Sequence, residues 1–303
     1  RVRSGGFFLQ EQLGLNDRLF LVAGMRWDGF STFGDGFGLA KYPKLSASYV
    51  ISEESFMSGI GWLDMLKLRT AWGQSGKAPG VFAAEKLWQA TSSDEQLPAV
   101  VLDNFGNSEL GPERSTELEW GFEVSALQGR AFFEFTKYNQ TTRDALIGVA
   151  PTPSTGTNNR VLRNLGEVEN WGTEMALTVV PVRSDDVEWS LTAQYTTNDS
   201  KITDLGNLTD LGTALTVNWP MFIRYDDVLI TCDNVGIRAN ADGSEASVPT
   251  KCWDPAARYD ASNEPDLGKR MIGRLYPTDI LSLNSRVTLW NRLTLDVLGE
   301  GQY

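Results

Sequence analysis

The stretch STELEWGFEVSAL, Ser115 to Leu127, alternates between two kinds of side chain with almost no break. Its even positions include leucine, tryptophan, phenylalanine and valine, whereas its odd positions up to Ser125 are glutamates, serines and one glycine. A strict period of two predicts a β-strand with one apolar face and one polar face. The run is about twice the usual strand length of roughly 5–6 residues. The fold therefore has to accommodate unusually long amphipathic strands.

Charge and hydropathy exclude two classes of protein. The chain of 303 residues has 27 basic and 39 acidic side chains, a net charge of −12. Binding to nucleic acid needs a basic surface, which this balance does not provide. No apolar run approaches the roughly 20 residues of a membrane-spanning helix, and the best, Leu19 to Met25, is seven residues long. A β-barrel, in contrast, spans a bilayer at this polarity.

The motifs of common enzymes are missing from the sequence. It contains no histidine, which removes the most frequent general base and metal ligand. It also contains no phosphate-binding loop, nucleophile elbow or zinc-protease motif, and no defensible pair of nucleophile and base. We therefore predict no enzymatic activity, no catalytic residue and no resident cofactor.

Two weaker signals concern metal ions and cysteines. Asp204 and Asp210, in two TDLG repeats, are candidate oxygen ligands for Ca²⁺, although their spacing fits no EF-hand and solvated loop carboxylates are the alternative. Cys232 and Cys252 are separated by 19 residues and stand apart from any metal-binding pattern. In an oxidising compartment they are expected to form a disulfide that closes a loop, with two buried free thiols as the alternative.

Other segments repeat the alternating pattern. In Val187–Asn198 the odd positions down to Tyr195 are apolar or aromatic and the even positions are polar, and Leu281–Leu289 shows a similar division. With several runs of weaker contrast, the sequence predicts about ten strands. The connections between them alternate between short and long, and the long ones are Thr32–Tyr42, Ser75–Pro112, Thr141–Gly166 and Lys201–Asp279.

This arrangement predicts an all-β, antiparallel, up-and-down transmembrane β-barrel with short periplasmic turns and long extracellular loops. A tilted strand needs about 9–11 residues to cross the hydrocarbon layer, which accounts for the strand length. A large soluble β-sandwich is the alternative. The predicted lipid-facing residues are Leu118, Trp120, Phe122, Val124 and Leu191. The predicted lumen-facing residues are Glu117, Glu119, Glu123, Thr192, Gln194 and Arg286.

Several words of the sequence resemble a known family. The most specific are LKLRTAWGQSG (Leu66 to Gly76), GNSELGPERSTELEWG (Gly106 to Gly121) and NLGEVENWGTE (Asn164 to Glu174). Their order and spacing are similar to the barrel of TonB-dependent outer-membrane receptors, in particular the SusC/RagA type. The resemblance covers nearly the whole chain, from Gly5 to the last strands.

The resemblance implies a bacterial outer-membrane protein with a 22-stranded barrel and an N-terminal plug. Such receptors import glycans, peptides or siderophore-like ligands with energy from the TonB system. It also implies three partners: outer-membrane lipid, TonB acting through the plug, and a surface-exposed substrate-binding lipoprotein. A passive porin-like or structural barrel, a signalling receptor and a soluble glycan-binding β-protein are the other functions considered.

The sequence departs from the family pattern at both ends. It begins with RVRSGG and ends within an alternating run, and we find no plug, no TonB-contacting segment and no closing strand in it. Residues 1–303 are therefore expected to be a fragment, a partial barrel domain of about ten strands.

The long loops are expected to capture the ligand. Ser75–Pro112 and Lys201–Asp279 contain several tryptophans and tyrosines, several amides and more acidic than basic residues. This composition favours recognition by aromatic and amide groups over recognition by a charge cluster. The candidate ligand-binding residues are Trp88, Trp219, Tyr225 and Trp253, with ordinary loop packing as the alternative.

Overall fold

The structure is a computed structural model of the chain. It describes residues 3–33, 38–92, 97–152, 154, 159–206, 215, 217–221, 223–227, 231–239, 245–254, 259–260 and 269–303, with the backbone alone between 222 and 273. Nineteen strands are described: β1 (Ser4–Leu15), β2 (Leu19–Phe30), β3 (Ala40–Val50), β4 (Leu63–Lys77), β5 (Leu87–Ser92), β6 (Pro98–Asn104), β7 (Glu113–Ala126), β8 (Ala131–Arg143), β9 (Leu146–Val149), β10 (Val161–Asn164), β11 (Glu167–Arg183), β12 (Val187–Asp204), β13 (Ile223–Asp227), β14 (Thr231–Ala239), β15 (Glu245–Asp254), β16 (Tyr259–Asp260), β17 (Lys269–Arg274), β18 (Asp279–Leu289) and β19 (Leu293–Gln302).

Ten long strands form one antiparallel sheet in the order β1-β2-β3-β4-β7-β8-β11-β12-β18-β19. Each strand pairs with the next long strand of the chain, so the predicted meander of about ten strands is confirmed. The strand at Ser115 to Leu127 is β7, which pairs with β4 on one side and β8 on the other.

Helical structure is minor in the described part of the chain. Two 3-10 helices of three residues each, Ile51–Glu53 and Ser55–Met57, lie between β3 and β4. None of the helices in the residues described has the length and apolarity to cross a membrane.

The two ends of the sheet differ in their connections. At one end, the turn end, the strands are joined by residues 16–18, 51–62, 127–130, 184–186 and 290–292. At the other, the loop end, the connections are residues 31–39, 78–112, 144–166 and 205–278. The smaller strand groups β5–β6, β9–β10 and β13–β17 all belong to the connections of the loop end. The three longest connections all lie at the loop end, as predicted, but residues 31–39 of that end are fewer than residues 51–62 of the turn end, so the division by length holds only in part.

Residues at the turns adopt positive φ, and only some of them are of a type that favours it. Asn16 and Asn291 have φ of 52° and 53°, as expected of tight hairpins. Leu127 and Trp290, with φ of 59° and 50°, adopt this conformation without the side chains that favour it. The surrounding strand register determines these turns more than local preference does.

The register places every predicted face residue on the face that alternation assigns. Glu119 lies opposite Tyr138, which lies opposite Gly172, which lies opposite Asn198 in β12. Direct cross-strand partners share a face, so this chain of pairs joins β7 to Thr192 and Gln194, and Gln194 opposite Ser282 extends it to β18. One face, the polar face, thus contains Glu117, Glu119, Glu123, Thr192, Gln194 and Arg286. The other, the apolar face, contains Leu118, Trp120, Phe122, Val124 and Leu191.

On β7, two large apolar side chains are more exposed than the glutamates of the polar face. On β12 the order differs, because Leu191 is only partly exposed and Gln194 is exposed. The Leu118 and Trp120 side chains of the apolar face are 48% and 47% exposed. Glu117, Glu119 and Glu123 of the polar face are only partly exposed. Large apolar side chains directed outward and carboxylates on the more covered side are typical of a sheet with lipid outside and polar groups inside.

The chain divides into two compact units. The first contains Arg1–Trp219 and Pro277–Tyr303, and the second is Pro220–Tyr276. In the second unit β14 pairs with β15, and Cys232 is the Cα partner of Cys252. Directly opposed residues of antiparallel strands have Cα atoms about 4.5–5.5 Å apart, within the range for a disulfide. The cysteine side chains lie outside the described residues, and the disulfide stays a prediction.

The division of the faces predicts that an arginine costs different amounts of folding free energy at two positions on opposite faces of β12. In the complete protein in a lipid bilayer, Leu191→Arg places a cation against hydrocarbon and should destabilise the fold by about 2–4 kcal/mol if it lies near the midplane. Gln194→Arg, three residues along β12 on the polar face, should cost less than about 1 kcal/mol. Urea unfolding in vesicles measures both. Equal costs would contradict the assignment of the faces.

Candidate functional site

An ion-pair network lies on the polar face at the centre of the sheet. Arg69 of β4 pairs with Glu134 and donates a hydrogen bond from Nη2 to Thr136 Oγ1 at 2.6 Å. Its Nε lies 3.4 Å from Glu123 Oε1, and Lys67 Nζ lies 3.3 Å from the same oxygen. The network connects three adjacent strands, and its main effect is to fix the positions of these charges, because partly exposed ion pairs contribute little stability.

Other polar-face residues are paired across strands in the same way. Gln140 Nε2 donates to Glu117 Oε2 at 2.6 Å, and Thr178 and Thr192 hydroxyls lie 3.1 Å apart. At the far edge Arg286 Nη2 pairs with Asp296 Oδ2 at 2.7 Å. The predicted lumen-facing groups thus belong to a hydrogen-bonded surface that runs from β4 to β19.

Aromatic contacts strengthen the apolar face. Phe7 and Trp27 stack with ring centroids 4.7 Å apart. Phe122 contacts Phe133 and Phe135 at 5.7 and 5.4 Å, and Trp120 contacts Phe135 at 5.5 Å. These cross-strand pairs favour the observed register.

Two long connections are joined at the loop end of the first unit. Asn164 Oδ1 accepts a hydrogen bond from Gly111 N at 2.8 Å, and its Nδ2 donates to Gly111 O at 2.9 Å and to Asp144 O at 3.0 Å. Asn107 Nδ2 donates to Leu162 O at 3.1 Å. The side chains of two asparagines thus pair with backbone as another strand would.

These asparagines belong to the words that carry the family resemblance. Asn107 lies in GNSELGPERSTELEWG, and Asn164 opens NLGEVENWGTE. Leu110 of the first word is completely buried. Gly166 of the second has φ of +91°, and a Cβ there would lie 2.7 Å from Asp204 O. The distinctive sequence therefore fixes the junction between residues 78–112 and 144–166.

A cleft of about 970 Å³ lies between these two connections. One wall includes Lys86, Phe105 and Glu109, and the other includes Pro151 and Arg163. The Lys86 ammonium lies 5.0 Å from the Trp88 ring centroid and 5.6 Å from that of Phe105. This outer-loop cleft is the candidate ligand site in the first unit.

The structure places the four predicted ligand-binding aromatics differently. Trp88 in β5 is 59% exposed and contacts Lys86 at the cleft. Trp219 is half-buried, and its carbonyl accepts a hydrogen bond from Ile202 N at 2.9 Å. Tyr225 and Trp253 belong to β13 and β15 of the second unit, and their side chains lie outside the described residues. Only Trp88 is shown beside this cleft.

The predicted calcium ligands receive no new support. Asp204 Oδ1 accepts a hydrogen bond from Gly206 N at 2.8 Å and so stabilises a turn. Asp210 lies outside the described residues. Among the residues that the structure describes, no group of three or more acidic or cysteine side chains could hold a metal ion.

Sequence reasoning missed Arg163 and the structural role of the asparagines. It treated Ser75–Pro112 and Thr141–Gly166 as separate loops, and pairing between distant loops leaves no periodic signal. The available signal was the position of Arg163 directly before a word of the family resemblance.

The sheet and its loops define a class, the wall of an outer-membrane-type β-barrel. The family model described as TonB dependent receptor-like, beta-barrel matches residues 1–270. The chain therefore belongs to this family, and its localisation is the bacterial outer membrane, as predicted.

Curated relatives share this family. The chain is 33% identical over 206 residues to TonB-dependent receptor P26 of Formosa agariphila, which covers 67% of the chain and 21% of that protein. It is 30% identical over 199 residues to TonB-dependent receptor SusC of Bacteroides thetaiotaomicron, covering 63% of the chain and 20% of that protein. The matched region thus spans about a fifth of each of these relatives.

Solved structures support the fold. The RagAB peptide transporter matches with a TM-score of 0.77 at 20% identity, over 98% of this chain and 33% of that chain. The closed-closed state of the RagAB peptide importer matches with a TM-score of 0.76 at 21% identity, over 97% and 33%. At this identity the likeness shows the fold alone.

The loop junction predicts a local effect of Asn164→Ala. The substitution removes three hydrogen bonds, each worth about 1 kcal/mol, so residues 144–166 should open more often. Limited trypsin digestion of the complete protein should then cut after Arg160 and Arg163 about tenfold faster or more, while the sheet stays resistant to heat.

Asn139→Ala is the matched control, because no described hydrogen bond includes the Asn139 side chain, which is exposed on β8. If the two variants were digested at the same rate, Asn164 would not hold the junction.

Proposed function

We propose that the complete receptor imports a nutrient ligand, a glycan, a peptide or a siderophore-like molecule, across the outer membrane with energy from the TonB system. This chain supplies part of the barrel wall and several outer loops. Family membership supports an outer-membrane receptor, and the RagAB structures, which are of a peptide transporter, favour a peptide among these ligands.

The observation that carries this proposal is a sheet with one apolar face and one polar face, on which the charged groups are held by hydrogen bonds and ion pairs. Its ion pairs and hydrogen bonds hold charges in place along the side that the apolar face does not occupy. Such a surface suits contact with a polar plug or with a passing hydrophilic ligand, because charged groups there avoid the cost of contact with lipid. The outer-loop cleft at the loop end then offers a place for first capture.

The proposal includes three partners. Outer-membrane lipid covers the apolar face, TonB acts through a plug in the complete receptor, and a surface-exposed lipoprotein assists ligand capture. The similarity to SusC and to the RagAB assembly supports this set.

Energy dependence distinguishes active import from passive diffusion. The experiment uses a strain in which the full-length gene is deleted and then restored, with labelled oligopeptides, neutral oligosaccharides and a ferric siderophore as probes. We expect one probe class to accumulate only when both the receptor and TonB are present, and a protonophore to abolish its uptake. Binding of that probe to the cell surface should persist without TonB.

Replacing residues 220–276 by a short Gly-Ser linker tests the loops separately. β12 and β18 pair directly from Val187 to Thr197, so the sheet should still form. Unchanged binding and uptake in this variant would exclude residues 220–276 from ligand capture. In the unaltered receptor, uptake that continues without TonB would contradict the proposal and support a passive porin-like barrel.

A further inference from the structure

The outer-loop cleft differs from the rest of the chain in charge. Two cations, Lys86 and Arg163, and one carboxylate, Glu109, line it, a net charge of +1. The chain as a whole has a net charge of −12. The cleft is therefore locally cationic on an acidic protein, which favours an anionic ligand there.

Neither cation of the cleft is neutralised within the described residues. The described ion pairs include Arg26 with Asp28, Arg143 with Glu167, and Arg286 with Asp296, but none includes Lys86 or Arg163. Lys86 instead lies over two aromatic rings, at 5.0 and 5.6 Å. A cation–π contact positions an ammonium group and leaves its charge available to a ligand.

The amides around the cleft are already used by the fold. Asn164 makes three hydrogen bonds to backbone, and Asn107 accepts from Glu109 N at 3.1 Å and donates to Leu162 O. Asn104 donates to Phe82 O and Glu85 O at 3.0 Å and accepts from Gly106 N. The composition of the loops predicted that amide groups would bind the ligand. In this cleft the amides are already hydrogen-bonded within the protein, and the two cations are the groups available to a ligand.

Exposed aromatic surface lies beside these cations. Phe105 is 44% exposed, and Trp88 is exposed as well. An ammonium over two aromatic rings, with a guanidinium lining the same cleft, suits a ligand that has a carboxylate attached to an apolar or ring-containing body.

We propose that the cleft between residues 78–112 and 144–166 binds the carboxylate of the imported ligand through Lys86 and Arg163. That the ligand is imported rests on the proposed function, whereas binding to the cleft can be measured without transport. The carboxylate could come from an acidic peptide or from an acidic sugar, and the test separates these sources.

Direct binding to the purified full-length receptor tests the proposal. The probes are a fluorescent hexapeptide with two glutamates and a free carboxyl terminus, and a fluorescent trigalacturonate. Each is paired with a neutral form, the Gln-containing amidated peptide and the methyl ester. We expect at least one acidic probe to bind more tightly than its neutral form, and its affinity to fall with added salt.

Lys86→Gln and Arg163→Gln should each weaken the acidic probe by about tenfold, since a hydrogen bond to a charged group contributes about 1.5–3 kcal/mol. Both should leave the neutral form unchanged within about twofold. Arg160→Gln is the matched control, because it removes the same charge from the same loop but Arg160 does not line the cleft. Lys86→Arg should retain binding.

The outcomes separate the two sources and the two proposals. Tighter binding of the peptide alone assigns a peptide carboxylate, and tighter binding of the trigalacturonate alone assigns a sugar carboxylate. No preference for either acidic probe, or equal loss in the Arg160 control, overturns the inference. If the acidic probe binds but is not taken up, the binding site stands and the proposed import fails.

Discussion

The antiparallel backbone ladder from β1 to β19 determines strand direction, side-chain faces and the placement of the connections. In hydrocarbon each unpaired N–H or C=O group costs several kcal/mol, so a chain in contact with lipid must satisfy these groups within the sheet. A continuous ladder does so across ten strands. Because the ladder fixes strand direction, alternate connections lie at opposite ends of the sheet, and the three longest share one end.

The ladder in turn allows charges to be placed without contact with lipid. Side chains alternate with a period of two, so one register assigns the glutamates of β7 and the cations of β4 to the same face. There the cations Lys67 and Arg69 pair with two carboxylates, those of Glu123 and Glu134. The loop end follows the same logic, because β7, β8 and β11 are adjacent and bring residues 78–112 and 144–166 together. Asn164 then joins these connections through backbone hydrogen bonds.

Periodicity was sufficient to predict the long strands and which of their residues share a face. These features follow from a repeat that the sequence carries residue by residue, as in Ser115 to Leu127. The small hairpins β5–β6 and β9–β10 were not predicted, since their strands are short and lack clear alternation. Strands such as β4 and β12 extend to Lys77 and Asp204, beyond what a membrane crossing needs. The end of β12 reaches the loop junction, where Asp204 lies against Gly166.

The positive net charge of the cleft could not be predicted from the composition of the chain. Lys86 and Arg163 are 77 positions apart in the sequence, and neither stands in a continuous run of basic residues. Only the pairing of two loops through Asn107 and Asn164 brings both cations to one cleft. Local pattern therefore predicted the wall well, and the candidate ligand site only in part.

Spin-label accessibility along β7 measures whether the apolar face meets lipid and the polar face does not. Nitroxide labels placed singly at positions 117 to 120 and 122 to 124 of the reconstituted receptor report contact with oxygen, which concentrates in lipid, and with a water-soluble nickel complex. We expect oxygen maxima at Leu118, Trp120, Phe122 and Val124 and minima at Glu117, Glu119 and Glu123. Oxygen maxima at the glutamates, or no alternation along the strand, would contradict this assignment of the faces.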